Sequence, residues 1–140
     1  MSDIGMILQR LGNTLVTGVA PKLDGDYASG HAAMSGFMAV MAGEAWDGAA
    51  DRLYREIEGM RGLLAAGGVP VDTQPDSFKL QDLTAVRNVL AGELIALQAR
   101  LETTDSEAAA ALNTQIWGFL LMTAAERMPT PPDFPDAPDD

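Results

Sequence analysis

The stretch LQDLTAVRNVLAGELIALQARL, residues 80–101, decides the fold. Leu80, Leu83, Val86 or Arg87, Leu90, Leu94, Leu97 and Leu101 recur at steps of three and four, which lays a single apolar stripe along one face of a helix. The same period extends in both directions from it. Downstream, Thr104 and Glu107 match a capping box and predict the next helix start. That last helix is expected to bury Leu112, Ile116, Phe119, Leu120 and Thr123 and to end at Pro129. Upstream, Gly67-Gly68 predicts a helix stop, and Val69 to Ser77, with Pro70 and Pro75, predicts the longest internal loop, joining antiparallel neighbours. Residues 80–101 would then belong to a helix starting near Asp76 or Ser77.

Before the loop, Leu53, Ile57, Met60 and Leu64 keep the helical period, while Asp51, Arg52, Arg55, Glu56, Glu58 and Arg61 read as a solvated face. A surface ion pair from Arg52 to Glu56 would contribute only a few tenths of a kcal/mol. Tyr27 to Trp46 has a different texture, with Ala28, Ala32, Gly36, Ala39 and Gly43 as a small-residue stripe beside Met34, Phe37, Met38 and Met41. Glycines 30, 36 and 43 cost about 1 kcal/mol each relative to alanine, so something must offset them, either close backbone packing or room for a ligand beside the backbone. Trp46-Asp47-Gly48 predicts a break. In the first segment Ile4, Ile7, Leu8, Leu11, Leu15 and Val19 share one face, which Pro21 ends near Val19 or Ala20. Leu23 to Asp26 reads as a turn in which Asp24 or Asp26 caps the next helix.

These readings predict an all-α, up-and-down bundle of four to five helices with its apolar stripes turned inward, in one domain over residues 1–128. Residues 129–140 hold five prolines and four aspartates with Phe134 as the one large apolar residue, a composition that predicts a flexible, disordered tail.

Composition excludes several functions. The net charge is −11, and the nine basic residues are dispersed, which opposes binding to nucleic acid or to an anionic membrane surface. The uninterrupted apolar runs are short, and the first eleven residues lack a signal-peptide pattern, so no membrane partner and a cytoplasmic location are expected. There is no cysteine. His31 is the only histidine and thus the only side chain that ordinarily titrates near neutrality, with Tyr27 and Ser35 one turn away on either side. No Glu-x-x-His pair is present to accompany Glu44, Glu93 and Glu126, so neither a metal nor a cofactor is expected. Trp46 and Trp117 are expected to close the ends of the core, an outward Trp117 being the sign of an interface.

With no nucleophile–base pair and no phosphate-cradling loop, the sequence points to a non-enzymatic interaction or accessory protein. A protein partner or a homodimer would engage it through the small-residue stripe of the second helix or the 80–101 helix. The alternative is a binder, or enzyme, for an apolar molecule such as an acyl chain, in a groove lined by Tyr27, His31, Gly36, Met38 and Glu44.

From Ile4 to Leu64 the chain runs as an amphipathic helix ending in Pro21-Lys22-Leu23, a small-residue helix ending in Glu44, and a further helix. In this order it resembles small bacterial all-helical proteins of unknown function encoded near phosphotransferase-like kinases and acyl-CoA dehydrogenases. The resemblance implies an accessory role beside such enzymes, and it transfers no functional residue.

Overall fold

The computed structural model describes residues 1–133. It is all-α, with five α-helices and no strand among the described residues: α1 (Asp3–Asn13), α2 (Asp26–Asp47), α3 (Ala49–Ala66), α4 (Leu80–Glu102) and α5 (Glu107–Glu126). Contacts group the chain into two compact units, the first comprising Met1–Gly48 with the described residues after Met128, the second Ala49–Met128. The break expected near Trp46 to Gly48 falls at Gly48, between α2 and α3.

The first unit is a helical hairpin zipped by glycine. Gly5 and Gly12 of α1, seven residues apart, meet Gly43 and Gly36 of α2, so that the helices run antiparallel with each glycine against a carbonyl of the other helix. A Cβ placed on Gly12 would lie 2.5 Å from the Gly36 carbonyl oxygen, and one on Gly36 would lie 2.7 Å from that of Gly12. Only glycine admits backbones this close. Ser2 closes the open end, its hydroxyl accepting from the Gly5 N–H at 3.2 Å while its own N–H donates to the Asp47 carboxylate.

This packing overturns the expected orientation of α1. Its buried face consists of Gly5 and Gly12, whereas Ile4, Ile7 and Leu11 of the apolar stripe stay exposed. The helical path changes at Val19 and Ala20, where Pro21 is expected to end or kink it, but regular α-helix stops earlier, at Asn13. After Asn13 the chain widens into a π-helical turn over Thr14–Val19, in which the Ala20 N–H donates to the Leu15 carbonyl, and Pro21 follows in a 3-10 turn, Ala20–Lys22. Pro21 sits in the first turn of that segment, where a missing N–H breaks no bond. Neither Asp24 nor Asp26 caps α2: Gly25, at φ +96°, takes the N-cap position, and Asp26 lies inside the first turn.

The second unit holds a packed core of Ile57, Met60 and Leu64 from α3, Leu83, Val86, Leu90, Leu94 and Leu97 from α4, and Ile116 from α5. The stripe of residues 80–101 is therefore inward as read, with Val86 taking the core position and Arg87 lying at its edge. Glu56 of α3 meets Arg87, and Gly67 just past the end of α3 meets Leu97, so α3 and α4 run parallel rather than antiparallel. The loop makes this possible by running back along α3. Gly68, at φ +69°, ends α3, Val69 and Val71 pack on the core, and Arg61 clasps the returning chain at the Thr73 carbonyl and the Gln74 side chain. Near the start of α4 the loop brings Phe78 to Tyr54, ring centroids 6.2 Å apart. Ser77 then accepts from the Lys79 N–H and donates to Asp82, and the helix begins at Leu80, three residues later than expected.

The α4–α5 turn also differs from its sequence reading. Ser106 caps α5 through the Ala109 N–H, while Thr104 donates back to the Arg100 carbonyl, so the Thr104–Glu107 box is not formed. Along α5, Ile116 is buried and Leu112, Phe119 and Thr123 are half-buried, but Leu120 is exposed. Of the expected tail, residues 129–133 are described, and the Thr130 hydroxyl donates to Glu44 at 2.7 Å. Phe134 and the residues after it lie outside the described residues.

Substituting the hairpin glycines should separate packing from helix propensity. Gly12→Ala, which drives a methyl into backbone, is expected to destabilise the hairpin by about 1–3 kcal/mol. Gly30→Ala, with nothing within 4 Å of the added carbon, is expected to stabilise it by about 0.5–1 kcal/mol. Amide hydrogen exchange along α2 reads both; equal effects of the two variants would refute the close-packed seam.

Candidate functional site

Among the described residues Glu56 is the only charged one that is buried, at 5% exposure, although its place in the sequence reads as part of a solvated face. Two arginines explain its burial. Arg87, from α4, donates its Nε–H to Glu56 Oε2 at 3.1 Å. Arg127, at the C-terminal cap of α5, donates Nε–H to Oε1 at 2.9 Å and a second, shorter bond to Oε2. One carboxylate thus accepts three guanidinium bonds from two helices, and the Arg127 cation also lies at a helix C-terminus, where positive charge is favoured.

The charge balance sets the carboxyl's state. Burial alone would push the Glu56 pKa up, but the hydrogen bonds from Arg127 and Arg87 and their positive charges outweigh it and hold the group below its ordinary value of 4.5. A parallel set of exposed pairs, Arg55 with Asp51 and with Glu126, connects α3 to α5 one residue away.

A cleft of about 310 Å³ opens beside this cluster, lined by Ala49, Arg52, Leu53, Glu56, Thr84, Arg87, Asn88 and Arg127. Its lining combines the Glu56 carboxylate and the arginines that bind it with the neutral side chains of Thr84 and Asn88. The sequence singled out none of these residues for function. Arg87 appeared only as an alternative to Val86, and Arg127 falls about seventy residues from its partner, beyond the reach of any helical-spacing rule.

The residues proposed from sequence for an apolar ligand do not come together. Gly36 is sealed against Gly12, Met38 is exposed, and Glu44 is exposed and bound by Thr130. Tyr27 and His31 do stack, with centroids 4.3 Å apart, but both are exposed. An apolar recess of about 320 Å³ does lie on α2, one turn earlier, lined by Val16, Gly30, Ala33, Met34 and Phe37. Among the described residues no group of three or more His, Cys, Asp or Glu side chains is placed to hold a metal, so Glu44, Glu93 and Glu126 do not form such a group.

Large apolar side chains remain outward on several helices besides α1. Trp46 and Trp117 are both exposed rather than closing a core. On α5, Trp117 (58% exposed), Leu121 (74%) and Met122 lie near Gly118, around which there is open space. No charged residue occurs between Glu107 and Glu126, and α5 is by length and composition apolar enough to cross a membrane. The short-run criterion misses this because Asn113-Thr114-Gln115, Gly118 and Thr123 divide the helix's apolar residues into brief runs. Comparison of the chain with family models, with curated proteins and with solved structures finds no match.

Replacing Glu56 tests the cluster. Glu56→Gln is expected to lower the stability of the second unit at neutral pH by about 2 kcal/mol, through lost charged hydrogen bonds and two arginines left facing each other. Because the folded-state pKa is depressed, the carboxylate's contribution is complete above 4.5 and is lost as pH falls through the folded value. Exchange protection of the Leu90 and Leu94 amides should therefore differ between wild type and variant at neutral pH, with the gap closing as the solution is acidified below 4.5. A gap unchanged by acid would show that the carboxylate's charge is not what matters.

Proposed function

We propose that the protein is a non-enzymatic helical interaction module that acts as a homodimer, with the outward face of α5 as the contact surface. The observation that carries this reading is the charge-free exposed strip of Trp117, Leu121 and Met122. Contiguous exposed apolar surface is costly in water and marks interaction sites, and tryptophan is the residue type most enriched among strong interface contacts. The face carries no charge by which a basic or acidic partner would be selected, and an open glycine beside the tryptophan lets a second helix approach. A two-fold pairing of identical faces meets both conditions. The two faces first considered for dimerisation are occupied within the chain: Gly36 and Gly43 by α1, and the Leu83 to Leu97 stripe by the second unit's core.

An accessory role is in keeping with the absence of a nucleophile–base pair, and with the resemblance from Ile4 to Leu64. A second reading is supported by the recess of Val16, Gly30, Ala33, Met34 and Phe37, whose lining suits an apolar chain. Native mass spectrometry distinguishes the two, since a copurified acyl species adds mass to each subunit and a dimer doubles the subunit mass.

Light scattering over a hundredfold dilution is the direct test. The expected mass is twice 14.8 kDa at high concentration, falling toward 14.8 kDa on dilution. Trp117→Glu should give the monomer throughout with an unchanged circular dichroism spectrum. Wild type at 14.8 kDa at every concentration would refute the dimer, and flotation of that monomer with neutral vesicles would assign α5 to a membrane instead.

A further inference from the structure

Phe134 is the one large apolar residue after Met128, in a stretch otherwise made of proline, aspartate, threonine and alanine. The described part of that stretch, residues 129–133, belongs to the first unit. There the Thr130 hydroxyl donates to Glu44 at 2.7 Å, and Pro132 is half-buried. Gly30, Phe37 and Glu44 of α2 follow one another at intervals of seven residues, two helical turns, and so share one face of the helix. The apolar recess of Val16, Gly30, Ala33, Met34 and Phe37, about 320 Å³ in volume, lies on this face. Its Phe37 wall is about 10 Å along the helix axis from the residue that Thr130 binds. From Thr130 to Phe134 the chain spans about 12 Å in the extended conformation that Pro131, Pro132 and Pro135 favour. In the opposite direction α2 ends three residues beyond Glu44, at Asp47.

We infer that the chain's own C-terminal segment docks along this face of α2, with the Phe134 ring seated in the recess beside Phe37. Size is compatible, since a cavity of about 150 Å³ already holds benzene. Met34, 62% exposed, offers the ring a thioether, a favourable neighbour for an aromatic edge. The short connection from Thr130 holds the ring near the recess at an effective concentration of about a millimolar or more, so a contact too weak to join separate molecules forms within one. Charge gives no help, because the aspartates of the segment are repelled by Glu44. The ring therefore carries the contact, and added salt does not weaken it. An apolar molecule enters the recess only by displacing the ring, which makes the tail a built-in competitor for the site of the second reading above. The contact itself rests neither on that ligand nor on the α5 dimer, since both of its sides lie in the first unit.

The test is nuclear magnetic resonance of the full-length protein with labelled methionine and valine methyls and labelled phenylalanine rings. The expected result is nuclear Overhauser contacts from the Phe134 ring to the Met34 and Val16 methyls. An upfield ring-current shift of the Met34 methyl should be lost in Phe134→Ala and kept in Phe134→Tyr. Met34→Glu, a change at an exposed position, should move the Phe134 ring resonances to those of an unstructured peptide while the circular dichroism spectrum stays the same. The mass measured by light scattering should be equal in Phe134→Ala and wild type, so that this contact and the α5 dimer fail separately. The proposal is overturned by the absence of ring-to-methyl contacts, or by a Met34 shift that Phe134→Ala leaves in place. It is equally overturned if, in a sample mixed from labelled and unlabelled protein, the contacts arise only between chains.

Discussion

The grip of Arg87 and Arg127 on the buried Glu56 carboxylate is the interaction on which the second unit's alignment depends. A buried ion pair seldom adds more stability than a well-packed apolar substitute of the same volume, because desolvation consumes the Coulombic gain. What it adds is registration. The apolar stripes of α3 and α4 would tolerate a slide of one turn, since leucine meets leucine either way, but a slide moves Arg87 about 5.4 Å from Glu56 and leaves the carboxylate buried and unpaired. The same carboxylate fixes the end of α5 through Arg127. With α3 and α4 aligned in parallel, the connection must travel the length of a helix, and the packing of Val69 and Val71 and the Arg61 clasp follow from that requirement.

The first unit is governed by a different constraint, the distance between two backbones. Glycines in its seam forgo helix propensity and side-chain burial, and in return the helices approach until carbonyl oxygens meet the opposite glycines. Leu8 and Leu15 flank the seam, half-buried beside Gly43 and Gly36. With glycines at its centre, other large apolar residues face outward, which is why a strongly amphipathic α1 exposes Ile4, Ile7 and Leu11. The sequence period correctly identified a helix with two faces and assigned the wrong one to the interior. Apolar periodicity locates the buried face only where large side chains supply the packing; here the heptad of Gly5 and Gly12 was the stronger signal, and it becomes visible only when set against Gly36 and Gly43.

Legibility followed the range of the interactions involved. Helix number, the stop at Gly67-Gly68, the break at Gly48 and the inward stripe of residues 80–101 all arise from contacts within a few turns, and all could be read from spacing. The parallel course of α3 and α4 could not, because a loop of this length can either cross to an antiparallel neighbour or return. The caps were partly misread because neighbouring hydroxyls compete: Thr104 and Ser106 both suit the start of α5, and the geometry of the preceding turn commits Thr104 to Arg100. The cleft was least legible of all. Glu56 sits among charged neighbours that look like a solvent-facing stripe, and its partners lie 31 and 71 residues away.

Charge and apolar surface act on different length scales in this protein, and the difference limits what it can bind. At physiological ionic strength the repulsion between surfaces of a chain of net charge −11 is felt over a Debye length of about 8 Å. Beside Glu56 the charges of Arg87 and Arg127 act at hydrogen-bond distance and are committed to its carboxylate. The uncharged face of α5 lies outside this contest altogether, since its attraction arises from water release and is insensitive to screening, so added salt weakens the repulsion between two acidic chains while leaving that attraction intact.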